Sequence, residues 1–149
     1  MRRGPEGLKK DTLVNLEASG EFVVNVVDES YVGPMNQCSA DFAPDESEFV
    51  ACGLTALPSE VVGPPRVAES PIQLECKVHQ IVEVGDGPGG GAMVMGTVVR
   101  MHVRDDLYQN GRILSERWKP IGRMAGATYV RCGDTFELPR PTLPSNSAT

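Results

Sequence analysis

Lys10 and Thr12 flank Asp11 at the head of the segment KDTLVNLEASGEFVVNVV, Lys10 to Val27, which places a short helix directly before a strand. The first N–H groups of a helix are unpaired and carry a partial positive charge, so a lysine and a hydroxyl there suit a phosphate. Alone this is a weak signal, since capping and a solvated charge explain such residues more often than ligand binding does. His102 is the second group that could do chemistry, lying mid-strand between Arg100 and Arg104 on the polar side of an alternating run. It reads either as part of a solvated cationic strip on a sheet edge, or as a donor to a ligand or an acid–base group at a reaction centre. The other histidine, His79, adjoins a break in strand phase and has no partner that the sequence suggests.

Other chemistries lack their context. Gly85, Gly87 and Gly90 spell G-x-G-x-x-G after a predicted strand, but Pro88 and further glycines lead into another strand rather than the helix that a dinucleotide fingerprint must open. A hairpin loop is the reading. No G-x-S-x-G or comparable nucleophile setting occurs. Cys38, Cys52, Cys76 and Cys132 form no C-x-x-C pair, which predicts free, mostly buried thiols rather than zinc ligands or a redox dithiol. A net charge of −6 argues against a nucleic-acid or anionic-membrane partner. With neither an apolar leader core nor a run of about 18 apolar residues, a cytoplasmic location is expected.

The elements that must position these residues follow from punctuation and period. A chain of 149 residues makes one domain. Asp11 or Thr12 is the predicted cap of a helix that buries Leu13 and Leu16 and stops at Gly20, before a strand over Phe22 to Val27. Residues 28–42 read as a connection with room for a short helix. Asp45, with Glu48 three residues on, predicts a capping box opening a helix through Val50 and Ala51 that Gly53 ends. Pro58, Pro64 and Pro65 make 55–71 an extended loop, in which Arg66 and Glu69 can pair with each other or across a subunit boundary. Ile72 to Val84 alternates Ile72, Leu74, Cys76 and Val78 against Gln73, Glu75, Lys77 and His79, with a phase slip at Gln80-Ile81. Ala92 to Arg104 sets Val99, Met101 and Val103 against Arg100, His102 and Arg104. At most one helical turn precedes Pro120, and a last strand covers Ala127 to Cys132. Strands outnumber helices and pair locally, so a mainly β fold is predicted, a small antiparallel barrel with short helices.

Several of these segments, taken in order, resemble the flavin reductase-like family of FMN-binding split barrels. They are Lys10 to Asn25, Met35-Asn36, Asp45 to Phe49, Gly53 to Thr55, Pro64 to Pro71, Leu74 to Cys76, His102-Val103, and Pro120 to Arg123 with Tyr129. The resemblance implies an antiparallel, Greek-key-like split barrel over residues 10–138, with 1–9 a remnant; the Pro/Ser-rich 139–149 reads as a disordered tail. It implies a homodimer that holds FMN at the subunit boundary and passes a hydride from NAD(P)H to the flavin, or that serves as an FMN electron carrier. Carried over residue by residue, Lys10 and Thr12 meet the phosphate, Asn36 and Ser39 border the flavin, and Arg123 and Tyr129 lie near the pocket rim with His102, the catalytic candidate. Family members begin with an Asn/Ser-rich, aromatic-containing segment, where this sequence has only MRRGPEGLK. The expectation is a late-assigned start, a fragment, or a dimeric, non-catalytic scaffold that has lost flavin; in each case FMN binding should be weak or absent.

Overall fold

The structure, a computed structural model, describes residues 9–85 and 89–141. Lys10 has extended backbone (φ −69°, ψ 147°), and its carbonyl accepts the N–H groups of Leu13 and Val14 at 2.8 and 3.1 Å. Lys10 is therefore the N-cap of α1 (Asp11–Ser19), and no side chain caps it. Asp11 and Thr12, the predicted caps, lie inside the first turn. Leu13 and Leu16 are buried as their spacing predicts. Gly20 adopts φ 67° and returns its N–H to the Leu16 carbonyl, a left-handed stop that glycine makes without steric cost.

The chain continues through β1 (Glu21–Val26), α2 (Val32–Gln37), α3 (Glu48–Ala51), β2 (Ala56–Leu57), β3 (Arg66–Val67), β4 (Ile72–Val84) and β5 (Gly91–Val103). Three short strand pairs complete it: β2 with β3, β6 (Tyr108–Gln109) with β7 (Arg112–Ile113), and β8 (Ile121–Arg123) with β9 (Tyr129–Arg131). Every pairing is antiparallel and the helices are short, so the mainly β expectation holds. The predicted capping box at Asp45 does not form. Ser47 is the N-cap of α3, without a side-chain bond, and Glu46 instead accepts the Ala43 N–H at 3.0 Å. The last strand is also shorter than the predicted 127–132.

The main sheet runs β1-β4-β5. Its register puts Val24, Leu74 and Met101 side by side on one face, and Asn25, Gln73 and His102 on the other. Two register shifts interrupt the β4–β5 ladder, one between Val78 and Gln80 that leaves His79 unpaired, close to the predicted slip. The other, between Glu75 and Cys76, leaves Val99 as the extra residue of β5.

Ile72 and Cys76 of the expected apolar face are buried, at 4% and 3% exposure, but the polar side of β4 is covered as well. Gln73 and Glu75 are buried, at 6% and 0% exposure, whereas Met101 is 55% exposed. The cause is the proline-rich segment 58–71, which folds over the polar face and bonds to it. Glu21 accepts the Gly63 N–H at 2.8 Å and Asn25 accepts the Val67 N–H at 2.9 Å. Arg66 donates to the Pro58 carbonyl and to Gln73, while Glu69 accepts the Thr55 N–H, so the predicted Arg66–Glu69 pair is not made.

All four cysteines are free; Cys52 and Cys76 are buried, Cys38 half-buried and Cys132 exposed. Among the described residues no group of His, Cys, Asp and Glu could hold a metal ion, and no helix is long and apolar enough to cross a membrane. Gly87 and Pro88 of the glycine-rich motif lie outside the described residues, as do 1–8 and 142–149 of the predicted remnant and tail. Gly90 leads into β5, a strand, which agrees with the hairpin reading.

Candidate functional site

The N-terminus of α1 opens onto a cavity of about 710 Å³, walled by Lys10, Thr12 and Asn15 from the helix, Phe22 and Val23 from β1, Ser39 beyond α2, and Pro64 and Pro65 of the proline-rich loop. That volume falls within the range of about 300–1,000 Å³ usual for small-molecule sites. Because no side chain caps α1, its leading N–H groups are left for a ligand. Lys9 is held by Glu17 and Glu83 at 2.6 and 3.1 Å, whereas Lys10 makes no ion pair among the described residues. The Cys38 thiol also lines this wall, and burial, with Cys52 beside it, pushes it up to about 11.

A second cleft, about 470 Å³, lies on the other side of α2 between Val32, Gly33, Asn36, Arg123, Gly126 and Tyr129. The β8–β9 hairpin pairs Arg123 with Tyr129, and the Arg123 guanidinium stands 5.9 Å over the Tyr129 ring. The Tyr129 hydroxyl donates to Asn36 Oδ1 at 3.2 Å. Ser39 Oγ in turn donates to the Asn36 carbonyl at 2.7 Å, so the end of α2 joins the two clefts. Six of the sequence-predicted site residues thus line two neighbouring clefts: Lys10, Thr12 and Ser39 the larger, Asn36, Arg123 and Tyr129 the smaller.

His102 lines neither cleft. Its side chain is 16% exposed and turned beneath the proline-rich loop, with Nε2 2.6 Å from Glu75 Oε1 and Nδ1 4.0 Å from Glu60 Oε1. Of the Arg100–His102–Arg104 strip only the arginines are solvated: Arg100 pairs with Glu60 at 3.1 Å and Arg104 with Asp106 at 2.6 Å, both about half exposed, while His102 is turned inward.

Glu75 was not singled out by sequence reasoning, yet it is the most heavily bonded side chain of this region. Its carboxylate accepts the N–H groups of Glu60, Val61 and Val62 at 2.9, 2.7 and 3.1 Å, besides His102. Burial alone would raise its pKa, but these donors outweigh burial and hold it at about 2. An ionised carboxylate only accepts, so Nε2 of His102 carries the proton of their bond. Alternation places Glu75 on the polar side of β4 but does not say whether water or loop covers that side; the stiff prolines opposite were the available signal.

Residues 7–117 match the family model described as "Flavin reductase like domain". A protein of Halalkalibacterium halodurans is 47% identical over 147 residues, covering 97% of this chain and 70% of the relative. Among solved structures, nitrilotriacetate monooxygenase component B from Bacillus cereus superposes with TM-score 0.85 at 41% identity, over 92% of this chain and 69% of that one. A Shewanella frigidimarina protein with a split barrel domain gives TM-score 0.78 at 27% identity, over 87% of this chain and 65% of that one. With the sheet order and the site geometry already in place, these matches make the chain a split-barrel member of the flavin reductase-like family.

Proposed function

We propose that this chain binds FMN in the cavity at the head of α1 and works as an NAD(P)H-dependent flavin oxidoreductase or an FMN electron carrier. The observation that carries this reading is the uncapped helix N-terminus with Lys10 and Thr12 beside it, opening on a cavity of flavin-compatible size. Lys10 would contribute a full charge and Thr12 a hydroxyl to the terminal phosphate. Ser39 and Asn36, bonded to each other at the end of α2, would border the flavin, and Arg123 stacked on Tyr129 would form the rim. Bound FMN would supply the hydride-accepting or electron-carrying chemistry, which no side chain described here provides. His102 stands behind the proline-rich wall in this reading and holds a proton toward Glu75.

The site is proposed to be completed in a homodimer. The apolar sheet face leaves Val24, Val98 and Met101 partly exposed, and such a face suits a second copy. The test is titration of the purified chain with FMN, followed by flavin fluorescence, together with NAD(P)H oxidation and light scattering. Quenching with saturable binding and a dimer mass support the proposal. A colourless dimer that leaves flavin fluorescence unchanged would favour the non-catalytic scaffold reading instead.

A further inference from the structure

We propose that Glu75 is a positioning residue that fixes the proline-rich wall of the cavity; this rests on the reading of that cavity as the flavin site. Oε2 of Glu75 takes the N–H groups of Val61 and Val62, and Oε1 takes that of Glu60 together with His102 Nε2. Three consecutive loop amides and one side chain from β5 thus converge on a single carboxylate with no solvent exposure. One residue further on, Gly63 is held by Glu21, and the next two, Pro64 and Pro65, line the cavity. Between the clamp at residues 60–62 and the cavity wall the chain has almost no slack, because each proline fixes its own φ and restricts the residue before it. The placement of Pro64 and Pro65 is therefore set by a carboxylate that does not itself line the cavity.

Val62, at 7% exposure, is the buried end of this clamp, with Glu60 and Val61 nearer the surface. Deprived of Glu75, the Val62 amide is left unpaired unless that part of the loop lifts to solvent. His102 plays the supporting part, tying the clamp to β5, while the three amides do the positioning.

The test compares the whole chain with Glu75→Gln and His102→Gln by amide hydrogen exchange, thermal unfolding, and binding of FMN and of riboflavin at a temperature well below either midpoint. Glu75→Gln keeps the side-chain shape but turns an NH₂ toward backbone donors. Exchange at residues 60–62 should quicken at least tenfold, and the dissociation constants for FMN and riboflavin should rise by the same factor, tenfold or more. A shared factor marks a displaced wall, since losing a phosphate contact would weaken FMN alone. His102→Gln should leave exchange at 60–62 within threefold of the parent. Unchanged exchange in Glu75→Gln overturns the clamp, and quicker exchange with unchanged flavin affinity overturns its role in positioning the cavity. A variant that only unfolds earlier, with affinity retained in its folded form, overturns it in the same way. If the unsubstituted chain binds neither flavin, the functional reading itself fails, and that is seen before any variant is compared.

Discussion

His102 Nε2 lies 2.6 Å from Oε1 of Glu75, joining β5 to the buried first part of β4 across a separation of 27 residues in sequence. The contact is diagonal in the ladder, since Glu75 faces Arg100 and His102 faces Gln73. It lies under the proline-rich loop, so the histidine looks inward rather than to solvent.

His102→Ala should therefore lower the thermal midpoint by several degrees, because it removes one donor from a buried carboxylate and leaves a void beneath the loop. His102→Gln, whose amide can still donate, should recover part of that loss. Calorimetry and NAD(P)H-dependent flavin reduction on the same samples separate the two roles of this residue. Reduction that collapses with an unchanged midpoint would place His102 at the reacting atoms.

The acid limb of stability follows from Glu75. Its pKa is lowered from 4.5 to about 2 in the folded chain, so between those values the unfolded state binds the extra proton. Its contribution is complete above the unfolded value and is lost as pH falls through that window toward about 2. Denaturant midpoints measured across this range should drop steeply for the parent and less for Glu75→Gln. Parallel curves would mean that other carboxylates govern the acid limb.

Sequence patterns revealed the elements better than their surroundings. The stop at Gly20, the long β4–β5 hairpin and the proline loop were legible because glycine, period-two alternation and proline act locally on the backbone. The burial of Gln73 and Glu75 was not, since alternation separates two faces without telling which one another segment will cover. Capping failed at α1 and α3 because a suitable side chain near a helix start does not fix where the helix begins: Asp11 and Thr12 fall inside the first turn of α1, and α3 starts at Glu48 with Ser47 as its N-cap. The β6–β7 hairpin was missed although Asn110 and Gly111, with φ of 50° and 79°, carry a two-residue hairpin turn readable from the sequence alone. Of the predicted site, Lys10, Thr12 and Ser39 came together on one cavity and Asn36, Arg123 and Tyr129 on its neighbour, because the family resemblance aligned them in order.

In the functional reading, Lys10→Ala should weaken FMN by about 10–150-fold, the loss of one charge-assisted bond worth about 1.5–3 kcal/mol. Riboflavin, lacking the phosphate, should bind as before. Salt should narrow the difference between parent and variant, since an exposed charge is screened. Equal losses for the two flavins, measured by fluorescence quenching, would remove Lys10 from the phosphate.

Gly96→Ala tests the packing between β1 and the hairpin without touching any charged group. A Cβ built on Gly96 would collide with Cζ of Phe22, and would stand 2.7 Å from Cε1 of the same ring and 3.4 Å from Cβ of Cys76. Both ring atoms would lie far inside van der Waals contact, so the ring must move, and Phe22 also lines the larger cavity. Overpacking of this kind costs about 1–3 kcal/mol. For a chain of this size that is a fall of about 2–12 °C in midpoint. Shortening the ring should relieve the clash: Phe22→Leu alone leaves a small void, but Gly96→Ala with Phe22→Leu should be less destabilised than the two single changes added together. The pair should show a coupling of about 0.5–3 kcal/mol in a double-mutant cycle followed by denaturant unfolding. Strict additivity would mean that Phe22 does not occupy the space above Gly96.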